Sequence, residues 1–301
     1  MVSCEEGWYG DVPFLHFGLE QRWWLDWYPP DALALCIGLL GLYYLAIRYL
    51  RPPDALRVRR STVLAFVLGV LVIYAGAGTP IHPLGEEYLL SAHMFQHFLF
   101  SMVAAPLLVV GVPTWLWQIP LRSRAVLRAA RIITHPASAF LVFTIFQTLT
   151  HLPPVLDLAV NNGGFHFLTH LGLVLSSMLM WWPVLSTVPE LPRLSYPLQL
   201  AYLFVQSILP TVIAAFLVFA TSPVYPVYAE MPRLVDSITP VVDQQLAAAV
   251  MKILGSLVLW GFAAWAFYQW FMEHERRAQG PSWEEVQEEL ERLGLSRRDQ
   301  G

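Results

Sequence analysis

The chain has 301 residues, 56% of them hydrophobic, 14% aromatic and only 13% charged, with a formal net charge of -4 and a positive mean hydropathy. That composition excludes an ordinary water-soluble domain, and the gathering of its few charges into short blocks between long uncharged runs excludes a basic nucleic-acid face. Cys4 and Cys36 are the only cysteines and form no C-x-x-C, which argues against a disulfide framework or a thiolate metal site.

The first thirty residues begin "MVSCEEGWYGDV", acidic where a signal peptide is basic, and carry Arg22 as their one base beside Trp23, Trp24, Trp27 and Tyr28. Residues 1–30 read as an uncleaved leader on the outer face, anchored at the interface by aromatic rings. A bilayer core about 30 Å thick needs roughly 20 apolar residues in a helix. Seven stretches qualify: 32–50, 61–80, 89–111, 137–153, 164–186, 197–220 and 245–271. Backbone groups in lipid must bond within their own segment, so the expectation is an all-α integral membrane protein with a seven-helix domain over residues 31–272. Pro106 and Pro210 fall inside spans, where neighbouring helices must satisfy the carbonyls they free.

Arginine sets the orientation. Arg51, Arg57, Arg59 and Arg60 follow the first span, Arg122, Arg124, Arg128 and Arg131 follow the third, Arg193 follows the fifth, and the tail after the last span carries Arg276, Arg277, Arg292, Arg297 and Arg298; the alternate loops hold only Arg233. The positive-inside rule predicts the N-terminus outside and the C-terminus in the cytoplasm. In the charged tail, residues 273–301, "PSWEEVQEELERLGL" sets Ser282 and Glu285 in capping-box spacing and aligns Trp283, Val286, Leu290 and Leu293, as an amphipathic helix does.

Histidines punctuate this plan at one depth. "SAHMFQHFLF" carries His93 and His97, "HFLTH" carries His166 and His170, His151 closes the fourth span and His82 ends the second, so six of the nine histidines share the outer leaflet edge. Residues four apart lie about 6 Å apart along one helix face, which lets two imidazoles share an ion, and two such pairs on facing helices supply a coordination sphere. A single interfacial histidine is ordinarily just hydrogen-bonded, the reading that competes for His82; two pairs plus His151 exceed what packing requires. Around them stand Met94, Gln147 and, at the start of the seventh span, Asp243 and the deeper Lys252, all possible supporting residues. Imidazole without thiolate suits copper first, with zinc possible.

Three functions fit these residues. One is a copper-handling assembly factor without catalysis. Another is an intramembrane zinc-dependent hydrolase with Asp243 or Asp157 as base. The third is a bis-histidine haem protein. The ordered segments "SAHMFQHFLFSMVAAPLLVVGVP", "HLPPVLDLAV", "HFLTH" with "MWWPVLS", "PVYPVYA" and "DQQLAAAVM" resemble the multi-span assembly factors of bacterial caa-type cytochrome c oxidase, often called CtaG proteins, over roughly residues 60–271. The resemblance implies a multi-pass protein of the bacterial plasma membrane that serves cytochrome c oxidase subunits, with a role in copper handling. It carries over His93, His97, His151, His166, His170 and Asp243. The chain departs from the family pattern at Thr169, where an acidic residue is expected, and at Lys252, where an apolar or aromatic one is. The resemblance selects the assembly factor.

Overall fold

The computed structural model describes residues 29–234, 237–278 and 283–293; the expected leader and Ser282 of the capping box lie outside them. Every regular element among the described residues is helical. Helix α1, Pro30–Tyr49, starts on a proline whose missing N–H costs nothing there, with Asp31 in the first turn and Arg48 in the last complementing the helix dipole. Next come α2, Arg60–Ala77, and a short α3, Ile81–Glu87. Helix α4 is continuous but changes register: α over Leu90–Phe98, π over Leu99–Ala104, α again over Ala105–Gly111. Two surface helices follow, α5 Thr114–Leu121 and α6 Arg124–Ile133, then α7 Pro136–Thr150, α8 Pro153–Val160 and α9 Gly163–Leu185. The chain continues through α10 Tyr196–Phe219 and α11 Pro226–Glu230. The long α12 again combines α over Pro240–Ala249, π over Val250–Leu254 and α over Gly255–Ala278. A separate α13, Trp283–Arg292, ends the described chain.

Six of these helices are long and apolar enough to cross a membrane, or seven if α6 and α7, bent by 68°, together count as one span. The fourth expected span ends early: α7, Pro136–Thr150, has only 15 residues, because the prolines of "HLPP" stop it. The seventh runs well beyond its expected limits, Pro240 to Arg276 being continuous. Stretches that the sequence suggests are loops, around His82, Arg124 and Pro153, form short helices.

Helix α4 is the most enclosed of the candidate spans and packs against α2, α3, α9 and the first turns of α12. Its approach to α2 is set by Gly111, where an added Cβ would stand 2.5 Å from the backbone nitrogen of Phe66. The proline problem of this helix is solved from outside. In the π register Ala105 N–H bonds to Phe100 O, so the next carbonyl, Ser101 O, would look to Pro106, which has no N–H. The indole of Trp181 on α9 donates to that carbonyl at 2.9 Å. Trp181 is fully buried in an apolar cluster with Val109, Met180, Leu203 and Leu259. Meanwhile Leu42, Phe216, Phe219 and Leu257 are exposed on the outer faces of their helices; a belt of this kind matches lipid rather than water.

Candidate metal centre

One turn of helix separates His93 from His97 on α4 and His166 from His170 on α9, with ring centroids 4.4 and 4.2 Å apart within each pair. Helix packing turns the pairs toward each other: His93 lies 5.3 Å from His166 and 5.7 Å from His170, and His97 lies 5.2 Å from His170. One ring nitrogen from each of His93, His97 and His170 falls within 4.8 Å of the other two. Nitrogens about 2.1 Å from a tetrahedral ion stand about 3.4 Å from one another, so ring rotations of about an ångström bring these three onto one ion. Residue 85 lets α3 pack closely on this part of α4 because it is glycine: a Cβ there would meet the backbone nitrogen and Cα of His93 at 2.9 Å and lever α3 away.

The cluster also has ring nitrogens to spare. His93 Nδ1 and His97 Nδ1 are buried with no hydrogen-bond partner, a state that costs about 1–3 kcal/mol per group and that a bound cation relieves. His151 follows α7 directly, and its Nδ1 donates to the carbonyl of Gln147 at 2.7 Å. That bond fixes the tautomer and leaves the lone pair on Nε2, which is buried and unpartnered. Its ring is 5.8 Å from that of His97, one step outside the triad.

His166 is placed differently from the other four. Its Nδ1 lies 2.5 Å from Glu86 Oε1 on α3, and its Nε2 lies 2.9 Å from His170 Nε2. A neutral His166 that donates to Glu86 accepts from His170, which leaves the lone pair of His170 on Nδ1. His82 Nε2 is 3.4 Å from the same Glu86 oxygen, and His82 Nδ1 is 3.0 Å from Gln96 Nε2, whose other hydrogen goes to Gly76 O at 3.1 Å. Burial works against the charge of Glu86, but the hydrogen bond from His166 and the positive potential of His82 and His166 outweigh it and hold the carboxyl below its ordinary value. Glu86 is the residue that sequence reasoning missed. Its signal is an i, i+4 pairing with His82 inside "IHPLGEE", masked by Pro83 and Gly85, which make the stretch look like a loop.

The remaining sequence candidates sit elsewhere. Asp243 accepts from Leu90 N at 2.7 Å and from Ser91 N and Oγ at 3.1 and 2.5 Å, so it caps α4 below the histidines rather than facing them. Met94 packs into the apolar cluster of Leu90, Leu156 and Ala247. Gln147 contributes its carbonyl to His151. Lys252, in the π segment of α12, reaches Thr211 Oγ1 at 2.5 Å and Ser207 O at 3.5 Å on α10, and with His97, Gln147 and Ser207 it lines a cavity of about 40 Å³. Asp157 is exposed on α8 and engages Asn161. Both carboxylates named as a hydrolytic base are therefore turned to other partners. The ring centroids of neighbouring histidines lie 4.2 to 5.8 Å apart.

A helical membrane bundle that gathers five histidines of three elements at one end, four of them in two i, i+4 pairs, defines a polytopic protein built around an imidazole cluster. Residues 41–273 match the family of cytochrome c oxidase caa3 assembly factors, and the chain belongs to that family. Curated relatives in Mycobacterium bovis and Mycobacterium tuberculosis, both described as uncharacterized proteins, are 25% identical over 196 residues, covering 56% of this chain and 28% of theirs. The chain thus spans little more than a quarter of the length of those relatives. No solved structure matches it.

Proposed function

We propose that this assembly factor holds a copper ion as cargo on His93, His97 and His170, with His151 as a further ligand and His166 orienting His170, and passes it to a cytochrome c oxidase subunit. The observation that carries this reading is the set of facing imidazoles of His93, His97 and His170, with buried unpartnered ring nitrogens on His93, His97 and His151, in a chain of an oxidase assembly family. All three triad ligands are neutral when they bind, so the ion's charge is uncompensated within the triad. The cost of burying an ion grows as the square of its charge, which favours monovalent copper over a divalent ion. Lys252, lining the cavity beside His97, strengthens that preference. The charge asymmetry of the loops supports a position of the cluster at the outer leaflet of the plasma membrane, where a subunit helix arriving laterally can take the ion by ligand exchange without its crossing the hydrocarbon.

Membranes of a strain lacking the protein are expected to contain oxidase subunits poor in copper and low in activity. His97→Ala and His170→Ala, present at parental levels, are expected not to restore either. Oxidase turnover and copper content of isolated membranes are the measurements. Full copper with normal turnover in the deletion strain ends the assembly role, whereas full copper with lost activity moves the role to subunit folding or haem insertion.

A further inference from the structure

Two of the three triad rings are closed off: His93 and His97 are 1% and 6% exposed, so an ion that reaches them passes other side chains first. The partly open members of the cluster on α3 are His82 and Glu86, whose side chains are 25% and 29% exposed. They belong to a short helix between two candidate spans, where a carboxylate meets water rather than hydrocarbon. Glu86 is held from two sides, by His166 at 2.5 Å and His82 at 3.4 Å, both at Oε1. Among the described residues the carboxylate is thus fixed in position through one oxygen, with Oε2 outside these two contacts. Behind it the rings continue inward without a gap: His82 is 5.8 Å from His166 and 6.3 Å from His170, and His170 is 5.2 Å from His97.

We infer that Glu86, supported by His82, is a transient capture site for the arriving cation, from which the ion passes to the triad. The inference rests on the proposed metal-handling role and adds the route by which that site fills. Its chemistry suits capture rather than storage. A carboxylate attracts any cation through charge but is a hard ligand, and it binds a soft monovalent ion weakly beside three imidazoles. The ion therefore has reason to leave Oε2 for ring nitrogens a few ångströms deeper. No electron is transferred; the ion exchanges an oxygen ligand for nitrogen ligands.

The test separates rate from capacity. Full-length protein in nitrate medium is mixed with Ag(I), a redox-stable monovalent probe, free ion is removed after timed intervals, and bound metal is measured. Glu86→Gln is expected to slow uptake about tenfold, in the range that electrostatic steering supplies, while the final metal content equals that of the parent. Uptake by the parent is expected to slow as ionic strength rises, and this dependence is expected to vanish in Glu86→Gln, a signature that a merely structural role does not give. Glu86→Asp keeps the charge and is expected to recover most of the rate. Glu190→Gln removes a carboxylate that binds Gln118 far from the cluster and is expected to load like the parent. An unchanged rate in Glu86→Gln overturns the inference, as does a lower final content, which makes Glu86 a resident ligand. A parent that takes up no ion instead overturns the metal-handling role itself.

Discussion

The carboxylate of Asp243 collects three donors from the first turn of α4, two backbone N–H groups and the Ser91 hydroxyl. Asp243 and Leu90 are buried, so the contact is a helix cap supplied from another element. Asp243→Ala is expected to cost about 2–3 kcal/mol, since it strands buried donors, whereas Asp243→Asn keeps one acceptor and is expected to lose about half of that. Thermal unfolding in detergent compares the two, and equal stability of both variants with the parent refutes the cap. This residue illustrates what the sequence conceals. The two i, i+4 histidine pairs are legible because their spacing alone puts them on one face of a helix. Asp243 sits 153 positions from its partner Leu90, a distance over which no periodicity speaks. Glu86 was hidden more shallowly, by helix-breaking neighbours.

At the scale of elements, the π segments mark where the bundle departs from regular helix geometry. One lies in α4 just past His97; the other, in α12, carries Lys252. Residues of both, Ser101, Met102, Met251 and Lys252, line the same small cavity against His97. A π turn arises from one extra residue in the ladder and commonly persists where it serves a site. In α4 the register is coupled to Pro106 and to the indole of Trp181, which donates to the Ser101 carbonyl. Trp181→Phe is expected to destabilise by about 1–3 kcal/mol through that orphaned carbonyl. Pro106→Ala restores a backbone donor for it, so the double variant is expected to lose less than the sum of the two single changes. Strict additivity in the unfolding free energies contradicts this coupling. Pro106 could be read from the sequence as needing help from a neighbour. The identity of that neighbour, 80 residues away, depends on the tertiary packing of α9.

Across the whole molecule, one end of the bundle is tied together by hydrogen bonds between α11 and α3, from Tyr225 at the start of α11 to His151, and between α12 and the first turn of α4. Tyr228 donates to Gly85 O at 2.7 Å and Tyr225 to His151 O at 2.9 Å. The arginine-rich segments around Arg57 and Arg124 belong to the connections that alternate with this end. With Cys4 and Cys36 replaced, single cysteines at the exposed positions Asn162 and Ser237 are expected to react with an impermeant reagent in intact cells. A cysteine at the exposed Ser123 is expected to react only after lysis. Labelling of position 123 in intact cells reverses the orientation and moves the cluster to the cytoplasmic leaflet. The fold class was legible because composition alone fixes the solvent. The helix ends were not, since α7 and α12 end where prolines and packing dictate and not where apolar runs do.

Helix α7 carries a consequence for the lipid. Its 15 residues rise about 22 Å, against a hydrocarbon thickness of about 30 Å. Where α7 crosses by itself rather than as one bent span with α6, a segment this short is accommodated by drawing the two leaflets together, at a modest cost per ångström of mismatch. Because α7 ends at His151, the compressed acyl chains would then lie beside the imidazole cluster, and acyl-chain length in the host bilayer would set how deep the histidines lie.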